Sequence, residues 1–499
     1  MNTSPVVAVI AVDCSTTAVK ALVTASDGTV LASASSPLQT RSPAPGRAEQ
    51  DARSWWTALD EAVRAALQSL PDRGVVRALC ISHQRESFVC LDEAGEPLAP
   101  AMLWLDGRAA EQVARDGSEH VERLCGKPAD ITPGLYKLAW LRDHHPDVLD
   151  RAHRVVDVQG YLVQRLTGRW VTSTASMDPL ALLDVETKDY HRDLLRIAGV
   201  RRDQLPDLVP VGADLGKLLP AVRQAWGLAA GTVVVAGLGD GQAAGLGVGV
   251  TEPGDAYLVM GTAVVIGAQH EEYRPSRAYR TMVSAFEGQR TLETFSSSGT
   301  FLSTWFRREF GEAGADGRPD PALEAAAAAV PVGSEGLLTL PHWNATQTPH
   351  WDALSSGAVL GWRGFHTRAH MYRSLLEGIA FELRTQLDGL EEATGRPVRS
   401  IRAIGGGMRS PLWGQVLADV LGRRLHKRAD GEISALGAAV VALTTLGEHP
   451  DLATASHALT SFEEVVEPLP ENVQRYEALL PLYKSLYPTL RDVLHALHV

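Results

Sequence analysis

Short apolar bursts separated by polar turns mark the chain from its first residues. An apolar run from Val6 to Val12 ends at Asp13, and the polar turn D-C-S-T-T follows. Then come A-V-K-A-L-V-T-A, a D-G turn and T-V-L-A-S-A. This pattern predicts consecutive antiparallel strands with a polar first turn. Trp55, Leu59, Val63 and Leu67 recur at a spacing that makes one apolar helix face, with Trp55 and Trp56 read as packing residues. V-R-A-L-C-I-S predicts another strand, ending in the polar cluster H-Q-R-E-S.

The second half repeats the theme. A-Y-L-V-M reads as a strand, G-T as its turn and A-V-V-I-G-A as the returning strand. A helix–strand–helix order is expected next. It leads to S-I-R-A-I, the triplet Gly405–Gly407 and a helix from Leu412 to Leu421. Two halves with the same opening imply a duplicated α/β architecture with a cleft between them. The glycine-rich stretch Gly245 to Gly254 is taken as the boundary, giving domains 1–248 and 249–499. The run Ala325–Ala329 reads as a helix surface, and G-E-A-G-A-D-G-R-P-D before it as a solvent loop.

A length of 499 residues is too great for one ordinary core and agrees with two domains. The 45% hydrophobic and 21% charged content is that of a globular protein. A net charge of −12 without a basic block argues against nucleic acid or an anionic membrane as the main partner. Cys14, Cys80, Cys90 and Cys125 form no C-x-x-C pair, so free thiols in a reducing cytoplasm are expected rather than zinc ligands. No basic residue precedes the first apolar run, which predicts a strand and not a signal peptide. No apolar segment approaches the ~20 residues that cross a bilayer. A homodimer is left open.

Candidate chemistry gathers at five places. In V-V-V-A-G-L-G-D-G-Q-A-A-G the only charged group is Asp240, set among Gly237, Gly239 and Gly241 at a strand tip, where a general base for a hydroxyl nucleophile is wanted. Asp beside Gly is also a common turn pair. The first turn offers Asp13, Ser15, Thr16, Thr17 and, beyond them, Lys20. Its amides and hydroxyls can cradle phosphate oxygens while Asp13 holds a hydrated Mg²⁺, although the turn taken alone reads more readily as a polar hairpin tip without a ligand. Met260-Gly261-Thr262 offers the same chemistry from the other half, and two such turns suit phosphoryl transfer. Gly405-Gly406-Gly407 permits close approach of a ligand, or is a tight strand-to-helix connection. Finally, Gln84 and Arg85 can donate to hydroxyls and Glu86 can accept from them, a set that reads a polyol. Trp104, Asp106 and Arg108 adjoin this set by pattern, with an Asp106–Arg108 ion pair and substrate contact both open. His342 and His350 lack the three or four converging ligands of a metal site and read as loop histidines.

Together these motifs resemble the FGGY family of carbohydrate kinases, which includes glycerol kinase, xylulokinase and gluconokinase. The matching stretches are A-V-D-C-S-T-T-A-V-K, S-H-Q-R-E-S, L-W-L-D-G-R, G-L-G-D-G-Q-A-A-G, M-G-T-A, H-T-R-A-H-M-Y-R-S-L-L-E-G-I-A-F and A-I-G-G-G-M-R-S-P-L-W-G-Q-V-L-A-D-V-L-G, in the family's order from about residue 8 to 443. The resemblance implies two actin-like, ribonuclease-H-like domains of the hexokinase superfamily closing over ATP, Mg²⁺ and a small sugar or polyol. It implies Asp240 as catalytic base, Asp13 and Asp240 at the metal, and Thr16, Thr17, Gly261 and Thr262 at the phosphates. Gly299 and Gly405, Gly406, Gly407 and Met408 match the nucleoside-binding positions. Gln84, Arg85, Glu86, Trp104, Asp106 and Asp240 are the expected substrate residues, and Lys20 has no assigned role. Gln84-Arg85-Glu86 is similar to the glycerol kinase motif and departs from the pair usual in xylulokinases. The glycerol kinase tyrosine is absent, with Tyr136 beside Lys137 out of register. H-W-N-A-T-Q-T-P-H-W-D and G-G-G-M-R-S-P-L-W look closer to xylulokinase-like members. A pentulose or its polyol is the leading substrate expectation, with glycerol or another short polyol or aldonate second. An actin-like ATPase or a sugar-sensing regulator is the alternative of another class.

Overall fold

The computed structural model describes residues 7–311, 320–428, 431–462 and 464–497. In the first half, β1 (Ala8–Cys14), β2 (Ala18–Ala25) and β3 (Val30–Pro37) form the expected antiparallel meander. Val6, where the apolar run begins, lies outside the described residues. The strands β4 (Val76–His83) and β6 (Val233–Gly239) run parallel to β1, and β5 (Asp214–Lys217) borders β6 antiparallel. The sheet order is β5-β6-β4-β1-β2-β3. Helix α1 (Ala52–Gln68) starts at Asp51, whose side chain accepts from Arg53 N. It buries Trp55, Leu59, Val63 and Leu67 against this sheet, each such burial contributing ~1.5–3 kcal/mol. Trp56 is half-buried and stacks on Trp226.

The second sheet repeats the plan with one difference. β7 (Asp255–Met260) and β8 (Val264–His270) form the hairpin, and β11 (Ser400–Ile404) runs parallel to β7 as β4 does to β1. Between them, where a helix–strand–helix order was expected, the chain first forms β9 (Arg280–Val283) and β10 (Arg290–Ser296). These strands carry Arg280 and Glu293 inside the sheet, and the buried charges break the apolar alternation by which strands are recognised. With β12 (Leu425–Arg428) and β13 (Glu464–Val466) the order is β9-β10-β8-β7-β11-β12-β13.

The glycine-rich stretch after β6 is not an open turn. It is a helix, α2 (Asp240–Gly247), with Asp240 as its first residue. Its glycines admit a close neighbour: a Cβ on Gly247 would lie 2.2 Å from Ile433 O. That neighbour opens α6 (Ile433–Thr445), a helix from the far end of the chain that packs on the first sheet through Val9, Ala11, Leu22, Cys80 and Val235. Three other helices matter for the site and its surroundings: α3 (Thr300–Phe310), α4 (Arg368–Thr394) and α5 (Pro411–Leu421). The Ala-rich run ends a helix, Pro321–Ala328, that buries Leu323 and Ala327 and so is not merely surface. Residues 312–319 of the loop before it lie outside the described residues. All four cysteines are free and buried. Among the described residues no helix is long and apolar enough to cross a membrane.

Candidate active site

The parallel strands β1, β4 and β6 end at the same edge of their sheet, the usual place for a ligand crevice in an α/β sheet. Register makes the convergence specific. Asp13 pairs with Ser82, and Gly239 pairs with His83. Asp13, the segment Gln84–Glu86 and Asp240 are therefore delivered together by strand pairing alone. Asp13 is 7% exposed and accepts a hydrogen bond from Ser82 Oγ at 3.2 Å. Burial, and then the Asp240 carboxylate facing it, push Asp13 up to about 7. Lys20, opposite Asp13 on β2, pairs with Glu432 at 2.7 Å just before α6.

Gln84, Arg85 and Glu86 point to three different partners. Gln84 Nε2 donates to Gln50 Oε1, and Gln84 Oε1 accepts from Thr16 Oγ1 and Ser87 Oγ. Arg85 Nε lies 3.0 Å from Asp240 Oδ1, and its Nη1 lies 2.7 Å from Glu293 Oε2 on β10. Glu86, at φ 63°, pairs with Arg280 of β9 at 2.8 Å. Asp240 Oδ1 also accepts from Gly241 N at 2.8 Å, so one carboxylate oxygen is held from two sides. Gly237, Gly239 and Gly241 stand where a side chain would obstruct the backbone's surroundings, although none has a positive φ. They make room for neighbours. A Cβ on Gly237 would lie 1.8 Å from Ile81 O on β4. Gly237→Ala is expected to destabilise the fold by at least ~1–3 kcal/mol, read as a lowered Tm. An unchanged Tm would show that β4 and β6 can separate without cost.

The first turn, Ser15–Thr17, is tied by Ser15 Oγ donating to Ala18 O. Thr16 Oγ1 accepts from Trp104 Nε1 at 2.9 Å, and Thr17 is exposed. The Trp104 ring meets Phe295 of β10 edge-on across the cleft. The second turn, Gly261–Thr262, accepts through its carbonyls from Thr300 N at 2.8 Å and Gly299 N at 3.1 Å. This fixes the start of α3 against it. Gly299 leaves no space for a side chain there, its Cβ falling 2.6 Å from Gly261 O. Gly405 has φ 97°, a left-handed conformation that favours glycine. Gly406 and Gly407 then face Thr300, Ser303, Arg307 and Ser410 around a cavity of about 90 Å³. On the other side of Thr300 a cavity of about 230 Å³ is lined by Thr262, Phe301, Trp305 and Arg308. Gly299 and Gly261–Thr262 thus meet at the start of α3, with Gly407 beside Thr300 and a small cavity on either side of it.

Two expected site residues are placed elsewhere. Asp106 is fully buried, paired to Arg108 at 2.7 Å and accepting from Ala48 N. Burial opposes its ionisation, but these bonds hold it below the usual carboxylate range. It braces its loop instead of facing the cleft. Met408 is fully buried among the core residues of the second sheet, because the short helical turn after Gly405 rotates its side chain inward. Lys137 donates to the carbonyls of Ile131 and Thr132, and burial lowers it to about 8. His342 bonds Ser355, and His350 stacks on Tyr487. The residues that pattern reading missed are Tyr257, Arg280 and Glu293. A lone Glu at the centre of the strand R-T-L-E-T-F-S was the available signal.

Comparison with known proteins agrees with this geometry. Residues 8–247 match the N-terminal domain, and residues 256–446 the C-terminal domain, of the FGGY family of carbohydrate kinases. The xylulose kinase of Escherichia coli (strain K12) is 31% identical over 501 residues, covering 96% of this chain and 99% of that protein. The crystal structure of a gluconate kinase from Lactobacillus acidophilus superimposes with TM-score 0.92 at 25% identity, over 97% of this chain and 98% of the other. That of a xylulose kinase from Rhodospirillum rubrum does so with TM-score 0.91 at 28% identity, over 98% and 100%. The fold is the actin-like two-domain fold of these sugar kinases. With both family domains in order along the chain, the protein belongs to the FGGY family of carbohydrate kinases and is a phosphotransferase with an alcohol group as acceptor.

Proposed function

We propose that the protein transfers the terminal phosphoryl group of Mg-ATP to a terminal hydroxyl of a neutral five-carbon ketose, as a xylulokinase-like enzyme. The observation that carries the neutral acceptor is the pairing of the cations around Asp13, Glu86 and Asp240. Arg85 is committed to Asp240 and Glu293, Arg280 to Glu86 and Glu293, Lys20 to Glu432, and Lys137 to two backbone carbonyls. An aldonate carboxylate brought here would have to break one of these pairs, at the cost of a buried charge. A neutral polyol only exchanges hydrogen bonds. The identity to a xylulose kinase over nearly the whole chain supports the pentulose class.

In this reading Asp240 accepts the proton of the attacking hydroxyl through Oδ2, since Arg85 and Gly241 hold Oδ1. The nucleotide phosphates lie at the Ser15–Thr17 and Gly261–Thr262 turns and the nucleoside beside Gly406–Gly407. Among the described residues there is no group of three or more metal-ligating side chains. That fits Mg²⁺ carried by a nucleotide, which uses one or two carboxylates and the phosphates themselves. Asp13 and Asp240, two carboxylates that repel each other, would hold it and gain by its charge. Bound there, the ion would neutralise charge on the transferring group.

Glycerol is the second reading, favoured by the triplet Gln84-Arg85-Glu86. ADP release should be measured with D-xylulose, D-ribulose, L-xylulose, xylitol, erythritol, gluconate and glycerol at equal concentration. The expected result is the highest kcat/KM with a pentulose and little turnover of gluconate. A preference for gluconate would sink the neutral-acceptor argument, and one for glycerol would promote the second reading. ATP hydrolysis that none of these sugars stimulates would instead mark an ATPase or regulator.

A further inference from the structure

The carboxylate read as the base belongs to the first sheet, yet the chain of contacts that holds it ends in the second. Arg85 spans Asp240 and Glu293. Glu293 is fully buried on β10 and is held in turn by Tyr257 OH at 2.5 Å and Arg280 Nη2 at 3.3 Å. Burial would raise Glu293, but Arg85 and Arg280 keep it ionised, below the usual range.

Independent features of the backbone make room for this chain of contacts. A Cβ on Gly239 would lie 2.4 Å from Arg85 Cγ, and one on Gly241 would lie 2.5 Å from Glu293 Oε1. A Cβ on Gly267 of β8 would lie 2.0 Å from the Tyr257 ring. Glycines flank Asp240 where Arg85 and Glu293 pass, and a third frees the space for Tyr257.

We propose that Glu293 is a positioning residue that acts across the cleft: held by Tyr257, it orients Arg85 and through it the Asp240 carboxylate, so that the base is aimed only when the two sheets are together. This rests on Asp240 being the base. It adds that the aim of the base is set by the domain that carries the Gly261–Thr262 turn. A misplaced reacting group can cost ~10²-fold.

Glu293→Gln keeps size and removes the charge, and Tyr257→Phe is the milder variant that removes one bond to Glu293 and leaves the core ring. Steady-state kinetics and calorimetric Mg-ATP binding should be measured for each, and for each combined with Asp240→Asn. Glu293→Gln is expected to lower kcat ~10–100-fold with Mg-ATP affinity nearly unchanged, and Tyr257→Phe to lower kcat by a smaller factor. Combined with Asp240→Asn, neither should cause appreciable further loss, because residues acting through one group are non-additive. Losses that multiply in the double variants would show a structural role only and overturn the proposal. A folded Glu293→Gln enzyme with normal kcat would also overturn it, and if that variant does not fold, Tyr257→Phe decides on the same criteria. A normally active Asp240→Asn enzyme removes the base reading itself. Normal kcat in both position variants beside an inactive Asp240→Asn removes only the cross-cleft role.

Discussion

Replacing Asp240 by Asn is expected to lower kcat by ~10²–10⁴-fold while the protein stays folded, the usual worth of a general base. The fold should persist because an amide oxygen can still accept from Gly241 N and face Arg85 Nε, the two groups now on Asp240 Oδ1. Arg85 keeps its buried partner Glu293, so no unpaired charge is created in the core. What is lost is basicity at the one half-exposed carboxylate of the group, where a hydroxyl can arrive: the Asp240 side chain is 39% exposed and that of Glu293 0%. Single-turnover measurement at saturating Mg-ATP isolates the effect on the chemical step. Near-normal kcat in a variant with wild-type Tm would rule out Asp240 as the base.

The second large effect is expected at Asp13. Asp13→Ala should lower turnover by ~10²–10³-fold, the scale of removing one preorganised electrostatic contact. Sugar binding by calorimetry should be nearly unchanged. Asp13 also makes a pH prediction. Its ordinary unfolded value is near 3.8, and burial with Asp240 opposite raises it to about 7 in the fold. The folded state therefore holds a proton here between about pH 4 and 7 that the unfolded chain releases, so stability of the ligand-free protein falls as pH rises through that window. Over the whole window the contribution is on the order of 4 kcal/mol. Mg-nucleotide must displace the same proton, so its affinity should rise with pH up to about 7 and level off above. Asp13→Asn cannot titrate and should make both slopes shallower by the share that Asp13 contributes. Unaltered Mg-ATP affinity and turnover in Asp13→Ala, or unaltered slopes in Asp13→Asn, would contradict the placement of the phosphates and metal at the first turn.

Local pattern carried much of this architecture. The apolar bursts between polar turns that built β1 to β3, β7 and β8, and the one-sided face of α1, are properties of neighbouring residues. Strand pairing then brought Asp13, Gln84–Glu86 and Asp240 to one edge with no further information. Motif resemblance added Gly299, which the structure sets against the Gly261–Thr262 turn. The strands β9 and β10 were not legible, because a buried Arg280 and Glu293 look like surface residues until their partners are known. Met408 and Asp106 were misplaced for the converse reason. One turn of short helix decides where a side chain points, and an adjacent Arg108 satisfies a carboxylate that pattern alone leaves open. The strand–turn–strand openings of both halves, the apolar face of α1 and the polar groups at the strand ends follow from spacing within a few residues. Which charges meet, how Glu293 reaches Asp240 through Arg85 and which neighbours the glycines beside Asp240 make room for are set by long-range contacts. Arg85 and Glu293 are 208 residues apart and Lys20 and Glu432 412, and no local periodicity encodes a partner at that distance.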